Sequence, residues 1–417
     1  MNEFTSRDVD LLVIGGGPAG LAAAISARKN GIHDLIIVER NDWLGGILPQ
    51  CIHDGFGLEI FQEPLTGPEY AQRYIDELET LKIPYMLNSL VLEITPEKKV
   101  YVTSPNDLFC YNAKVIIFAM GCRERTRGQI SIPGTRPAGV YNAGVAQNLI
   151  NLKNLMVGKN IVILGSGDIG MIMARRFTLE GAKVHAVVEI LPHTNGLPRN
   201  IQQCLIDYEI PLLLSHTVTE IQGSNRVKSL IISPVNKKLK SINGKEKKIK
   251  CDTLLLSVGL IPENDLAKNC GIELSSVTGG AIVDENLETS IPGVFSCGNV
   301  LHVHDVVDFV TLEAEKAGKN ASEYILGKQI KKEKIRVEVG NGIRYVLPQY
   351  ISQDVDLELS IRVINPEEDT SIGFFDGKKL VKMEKLRKVH PAQIIKIKLK
   401  RNEIRNINTL KAEVLQK

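Results

Sequence analysis

Residues 10–20 read DLLVIGGGPAG, and the fold follows from this stretch. The apolar run 11–14 stops at three glycines, and the alanine-rich segment 21–29 follows, in the order strand, glycine turn, helix. Gly15 and Gly17 let the backbone turn sharply and come close to a pyrophosphate, while Gly20 lets the helix pack tightly on the strand. The turn that runs through Pro18 and Ala19 then offers free amides and the positive end of a helix dipole to the phosphates, with no lysine needed. A second apolar run, LIIVER at 35–40, ends in Glu39 and Arg40 and completes a βαβ unit. Glu39 stands about twenty residues past the turn, where a carboxylate accepts hydrogen bonds from a ribose diol.

The same grammar returns in IVILGSGDIG at 161–170, a helix expected over 171–180, and KVHAVVE closing on Glu189. Gly165, Gly167 and Gly170 repeat the glycine argument, with Asp168 and Ile169 between them at the helix start. The acid follows the third glycine at the same interval in both copies, Gly20 to Glu39 and Gly170 to Glu189. Each copy is followed by polar, strand-rich sequence and then by an apolar strand that stops at a glycine, AKVIIFAMG at Gly121 and DTLLLSVG at Gly259. A lone glycine fingerprint is weak. Two complete copies, each with strand, glycines, helix, strand and acid in order, predict two dinucleotide-binding domains.

After the second copy, residues 281–299 (AIVDENLETSIPGVFSCGN) supply a strand that must return to the first sheet, so the first domain is expected to be discontinuous. A helix over 305–326, with spaced apolar residues Val306, Phe309, Val310, Ala314 and Ala317, should close it. The basic linker 328–334 (KQIKKEK) reads as a solvated hinge, and the alternating runs beyond it as a small β-rich domain. The expected organisation is therefore 1–125 with 265–330, an inserted 126–264, and 331–417.

Composition narrows the partners. The 417 residues hold 51 Lys and Arg against 48 Asp and Glu, a net charge of +3, so charge gives no reason to expect nucleic acid or an anionic membrane as partner. The polar start MNEFTSRDVD lacks the basic-then-apolar order of a signal peptide, and no apolar run reaches the roughly 18 to 20 residues that cross a bilayer. A cytoplasmic location without direct membrane insertion is expected. Seven cysteines lie scattered without a CxxC pair or metal-ligand spacing, which fits a reducing compartment and predicts no metal site.

With two fingerprints, paired strand-to-glycine exits and a late GN element, the chain resembles the pyridine nucleotide-disulfide oxidoreductases over about residues 8–330. That resemblance implies an α/β fold of two Rossmann-type domains, a discontinuous FAD domain with the NAD domain inserted, plus the small β-rich domain. It carries FAD to Gly15, Gly17, Pro18, Ala19, Gly20, Glu39, Arg40, Gly46, Gly121, Gly298, Asn299 and Asp305. By the same route NAD(H) falls to Gly165, Gly167, Asp168, Ile169, Gly170, Glu189 and Gly259. Two departures matter. Asn299 stands where the family has Asp, which keeps a hydrogen-bonding group and removes a charge. The segment after Gly45 and Gly46, ILPQCIHDGFG, has one cysteine where the disulfide reductases have a pair, so a dithiol reductase is disfavoured. Glu189, with no Arg or Lys over 190–197, predicts a preference for NADH, because a 2′-phosphate beside a carboxylate is repelled.

The strings 45–57, 65–74, 120–128, 132–144 and 297–310 are similar to a narrower subgroup, the FAD/NAD-binding subunits of opine oxidase, hydrogen cyanide synthase and dye-linked proline dehydrogenase. Its nearest-looking members are encoded beside an FAD-dependent glycerol-3-phosphate dehydrogenase and a small cysteine-containing protein. The resemblance thus implies a partner dehydrogenase subunit and a small electron-transfer protein. Hydride transfer between nicotinamide and flavin asks the protein for alignment and electrostatics, and the start of the helix near Asp305 is expected to stabilise charge on reduced flavin. Cys51 and His53 could relay electrons or protons beside the flavin, or could only pack around it. His302 and His304 read as loop histidines touching flavin or capping the helix, or as acid-base groups. Arg123, Arg125 and Arg127 read as a phosphate or partner contact, or as solvated or domain-bridging charges.

Overall fold

The computed structural model describes residues 4–328 and 333–415. Within it the chain forms two compact units, Met1–Cys122 with Pro262–Lys417, and Arg123–Ile261. Residues 329–332 of the basic linker lie outside the described residues.

The first unit begins with strand β1 (Thr5–Ile14), helix α1 (Pro18–Lys29), strand β2 (Leu35–Val38), helix α2 (Gly67–Thr80) and strand β3 (Tyr85–Met86). A meander follows, β4 (Leu90–Ile94), β5 (Lys99–Thr103) and β6 (Leu108–Phe118). The strands pair in the order β3-β2-β1-β6-β5-β4, parallel from β3 to β6 and antiparallel across the meander. Leu11, Leu12, Val13 and Ile14 are all buried, as a central parallel strand covered on both faces requires. Helix α2 starts on a capping box, in which Glu69 N–H faces Thr66 Oγ1 and Thr66 N–H donates to Glu69 Oε2 at 2.8 Å.

The second unit carries β7 (Val140–Asn142), α3 (Ala143–Leu152), β8 (Asn160–Leu164), α4 (Asp168–Leu179), β9 (Lys183–Val188) and β10 (Leu212–Leu213). A hairpin with a third strand follows, β11 (His216–Gly223), β12 (Val227–Pro234) and β13 (Lys247–Lys250), and then β14 (Thr253–Leu256). The parallel sheet has the order β7-β14-β8-β9-β10, and β11-β12-β13 form a separate antiparallel sheet.

The chain then returns to the first unit. Strand β15 (Val294–Ser296) lies parallel to β6, pairing Val294 with Ile116 and Ser296 with Phe118, so the first sheet is discontinuous. Helix α5 (Val307–Ile325) packs on α1 so closely that a Cβ on Gly318 would fall 2.2 Å from the Ala23 carbonyl oxygen, and Ser26 Oγ donates to the Glu315 carbonyl oxygen at 2.7 Å. This is why α1 is alanine-rich: bulkier residues would hold the two backbones apart.

The C-terminal segment holds β16 (Ile335–Val339), β17 (Ile343–Leu347), β18 (Tyr350–Ile351), β19 (Leu357–Val363), β20 (Glu367–Asp376), β21 (Lys379–Val389), β22 (Ile395–Leu399) and β23 (Leu410–Leu415). They make two sheets, β18-β16-β23-β20-β21 and β17-β19-β22, around a core that includes Leu359, Ile361, Phe374, Leu399 and Leu410. The segment has its own core but belongs to the first compact unit, because Gln349 Oε1 accepts the Val283 N–H at 2.9 Å and Lys334 pairs with buried Asp284 at 2.5 Å. The borders expected at 125/126 and 264/265 fall at 122/123 and 261/262.

Candidate functional site

Gly15 ends β1 at φ +103°, and a Cβ there would lie 2.5 Å from the Ala119 carbonyl oxygen. A Cβ on Gly20 would lie 1.8 Å from the Gly15 carbonyl oxygen, so the first turn of α1 rests directly on the loop. Gly17 is the N-cap of α1, Pro18 and Ala19 open the helix, and no side chain caps it. Gly46, at φ +60°, faces Gly17, and a Cβ on it would fall 2.9 Å from the Gly17 Cα. Gly298, at φ +73°, closes the same space from β15, its hypothetical Cβ lying 2.8 Å from the Ala19 Cβ. The structure thus gathers Gly15, Gly17, Pro18, Ala19, Gly20, Gly46 and Gly298 around one helix start. Gly121 adopts φ +71° with open space around it.

Glu39 is buried, and each of its oxygens takes one backbone N–H: Oε2 from Gly16 at 2.7 Å and Oε1 from Asn41 at 2.8 Å. The acid therefore holds the glycine turn, and each oxygen keeps further acceptor capacity. Arg40 is exposed beside it.

The second unit repeats this build. Gly165 has φ +100° and its Cβ would lie 2.0 Å from the Ser257 carbonyl oxygen, while Gly167 caps α4 without a side-chain bond. A Cβ on Gly170 would lie 2.8 Å from the Gly165 carbonyl oxygen. Buried Glu189 accepts Ser166 N–H at 2.9 Å and Ser166 Oγ–H at 2.7 Å on Oε2, and Leu191 N–H at 3.0 Å on Oε1. Gly259, at φ +100°, accepts the Arg125 N–H at 3.0 Å. Asp168 is committed elsewhere, its Oδ1 accepting Leu197 N–H at 2.7 Å and Asn200 Nδ2–H at 2.6 Å. Ile169 packs against the core of the unit. Arg127 spends its guanidinium on the carbonyl oxygens of Ile132, Pro133, Gly134 and Thr135, so it shapes a loop instead of facing a ligand.

Cys51 lies half-buried against the start of α2, where a Cβ on Gly67 would meet the Cys51 carbonyl oxygen at 2.7 Å. Burial pushes its thiol up to about 12, and all seven cysteines are free. His53 sits with its ring 5.0 Å from that of Phe56. The segment is held by a residue the sequence did not single out. Buried Asp308, in the first turn of α5, accepts Gly57 N–H on Oδ2 and Ile60 N–H on Oδ1, each at 3.1 Å.

Beneath the Gly298 turn is a second polar cluster. Glu313 of α5 accepts Gly298 N–H on Oε1 at 2.8 Å, and its Oε2 lies 2.9 Å from His302 Nε2 and 3.5 Å from His304 Nε2. His302 Nδ1 is 3.2 Å from Tyr345 Oη, which accepts Arg362 Nε–H at 3.0 Å. Burial, with the charge of His304, lowers the His302 imidazole to about 4. Burial alone would raise Glu313, but the two imidazoles reverse that and hold the carboxyl well below its usual range. Asn299 Oδ1 accepts His304 N–H at 3.0 Å and lies 3.3 Å from His304 Nδ1, which leaves its amide nitrogen for any ligand. Asp305 has one carboxylate oxygen without a partner among the described residues, and burial raises its pKa. The helix expected near Asp305 begins at Val307, with no side-chain cap.

Both turns fit a dinucleotide: backbone stands where a side chain would be, the helix start is uncapped, and a buried carboxylate closes the following strand. The family model described as pyridine nucleotide-disulphide oxidoreductase matches residues 9–342. The chain belongs to that family. It is an FAD/NAD(P)-dependent oxidoreductase, and members of this family bind FAD and NAD(P)H.

The chain is 24% identical to the ferredoxin-NADP reductase of Picrophilus torridus, covering 71% of this chain and 87% of that one. It is 25% identical to the NAD(P)H coenzyme A polysulfide/persulfide reductase of Pyrococcus horikoshii, covering 79% and 72%. It spans only 65% of the mitochondrial dihydrolipoyl dehydrogenase of Caenorhabditis elegans, at 28% identity over 72% of this chain. In fold it matches the thioredoxin reductase of T. acidophilum with a TM-score of 0.62 at 23% identity, over 76% of this chain and 98% of that one. The L-proline dehydrogenase of P. horikoshii gives 0.53 at 19% identity, over 76% and 56%. The sequence has no CxxC pair. No helix among the described residues is long and apolar enough to cross a membrane.

Proposed function

We propose that this flavoprotein exchanges hydride between NADH and FAD and passes the electrons to or from a second dehydrogenase component, one handling glycerol 3-phosphate being the first candidate. The observation that carries the reading is the pair of glycine turns, one per compact unit, each tied by a buried glutamate, together with a solitary Cys51 whose thiol burial pushes up to about 12. A thiol held that high is a poor thiolate, and the sequence gives Cys51 no CxxC partner, which supports an external electron acceptor.

Bound FAD supplies the redox chemistry. The chain's own residues do the rest. Gly15, Gly17, Ala19, Gly20 and Gly46 receive the pyrophosphate, Glu39 the adjacent ribose, and Gly298 and the Asn299 amide close the site. Gly165, Gly167, Gly170, Glu189 and Gly259 do the same for the nicotinamide nucleotide. The uncapped start of α5 favours negative charge beside it.

Anaerobic mixing with NADH should bleach the flavin absorbance, and reoxidation should be slow with oxygen and fast with the partner dehydrogenase. Fast, complete reoxidation by oxygen or quinone alone would instead identify a stand-alone NADH oxidase or NADH:acceptor reductase, and no bleaching by NADH would end both readings.

A further inference from the structure

We propose that His302, His304 and Glu313 form a site for one divalent transition-metal ion, Zn²⁺ being the ion their donors suit best. One ring nitrogen each of His302 and His304 and a Glu313 carboxylate oxygen lie within 4.8 Å of one another. Ligand atoms about 2.0 to 2.1 Å from a tetrahedral ion stand roughly 3.3 Å apart. The two distances to Glu313 Oε2, 2.9 and 3.5 Å, bracket that spacing.

The outer partners point the same way. A metal-bound imidazole presents one nitrogen to the ion and is oriented by a hydrogen bond from the other. Asn299 Oδ1, an acceptor, stands 3.3 Å from His304 Nδ1, and Tyr345 Oη stands 3.2 Å from His302 Nδ1. Glu313 is anchored through its other oxygen by the Gly298 N–H at 2.8 Å. Each of the three groups is thus held by a second partner through its other polar atom.

Arg362 is the cation nearest this cluster, and its N–H groups donate to Tyr345 Oη at 3.0 Å and to the Val303 and Pro391 carbonyl oxygens at 2.9 and 2.8 Å. Lys316 lies farther along α5. The ion would fasten the 298–304 turn to α5 and, through Tyr345, to β17.

The test uses the full-length, flavin-loaded protein dialysed against metal-free buffer. Elemental analysis should find about one Zn²⁺ per chain, and His304→Ala and Glu313→Gln should each lower it at least tenfold while the protein still elutes as a folded species. X-ray absorption on the wild type should show a first shell of imidazole nitrogen and carboxylate oxygen without sulfur, and this decides the matter if either variant fails to fold. A wild type that carries no metal and takes up neither Zn²⁺ nor Co²⁺ overturns the proposal. Metal that persists in both variants, or a sulfur-containing shell, overturns it too.

Discussion

Gly46 faces Gly17 across the first loop so closely that a Cβ on Gly46 would fall 2.9 Å from the Gly17 Cα, and its backbone holds φ at +60°. An L-residue in that conformation costs roughly 1–2 kcal/mol, which the fold can absorb. The loop wall cannot stay in place, because the atom in the way is backbone. Gly46→Ala is therefore expected to fold but to bind FAD at least tenfold more weakly, about 1.4 kcal/mol. The ratio of flavin to protein absorbance after purification, with a titration of the apoprotein, checks this. A variant carrying its full flavin complement would show that the approach does not shape the cofactor site.

Glu189 should set coenzyme choice by charge. At an effective dielectric near 20, a carboxylate about 4 Å from a 2′-phosphate costs roughly 4 kcal/mol, reduced further by salt. Wild-type kcat/KM is expected to favour NADH over NADPH by more than tenfold, and Glu189→Gln should narrow that ratio. The same change replaces one carboxylate oxygen by an NH₂ group, so either Ser166 or Leu191 loses its acceptor and NADH efficiency should also fall several-fold. Equal efficiencies with the two coenzymes in the wild type would remove the electrostatic argument.

The elements that the sequence disclosed are those written in adjacent residues. Strand, glycine turn, helix and closing acid are local patterns, so Gly15 to Glu39 and Gly165 to Glu189 could be found by reading along the chain. Glu39 and Glu189 proved to hold the turns as well, through Gly16 N–H and Ser166 N–H, a use that side-chain chemistry alone does not announce. Long-range partners were hidden. Asp308 reaches back to Gly57 and Ile60, and Tyr345 and Arg362 reach His302 from strands whose alternation speaks only of a β-sheet. His302 and His304 lie one residue apart, but the Glu313 beside them comes from the next helix, so cysteine spacing carries no sign of the cluster. Asp168 misled for the opposite reason: it stands inside the fingerprint, but its carboxylate is turned to Leu197 and Asn200.

Buried thiols make the fold sensitive to alkali, Cys270 and Cys297 being raised as well. Burial raises Cys51 to about 12, Cys204 to about 11 and Cys251 to about 12, against an ordinary value of 9.0. Above pH 9 the unfolded chain sheds these protons while the folded chain keeps them. Stability is thus fully present below that pH and falls as pH rises, by up to about 1.4 kcal/mol per unit for each thiol. Urea midpoints should drop between pH 8.5 and about 10.5, and less so in Cys251→Ala. The same burial predicts that iodoacetamide labels Cys51 far more slowly than a free thiol at pH 8, and that Cys51→Ser keeps its NADH-to-dye activity. Rapid labelling of Cys51 in the folded protein, or loss of that activity, would restore a redox role for it.

Asp308 should govern the order of the segment that carries Cys51 and His53. Its two oxygens satisfy the Gly57 and Ile60 amides, each at 3.1 Å, from a side chain that is almost wholly buried. Asp308→Asn keeps the shape but replaces one acceptor by an NH₂ group, so one buried N–H is left facing another donor. Such a mismatch costs about 1–3 kcal/mol. Because the loss falls on a loop, it should appear first as local opening. Hydrogen exchange at 57–60 is expected to quicken by roughly ten- to a hundredfold. The strands of the first sheet should exchange as before, and Tm should fall by only a few degrees. Unchanged exchange at Gly57 and Ile60 would mean that the helix start does not hold this loop, and that the packing of Phe61 against Tyr70 and Tyr74 does so instead.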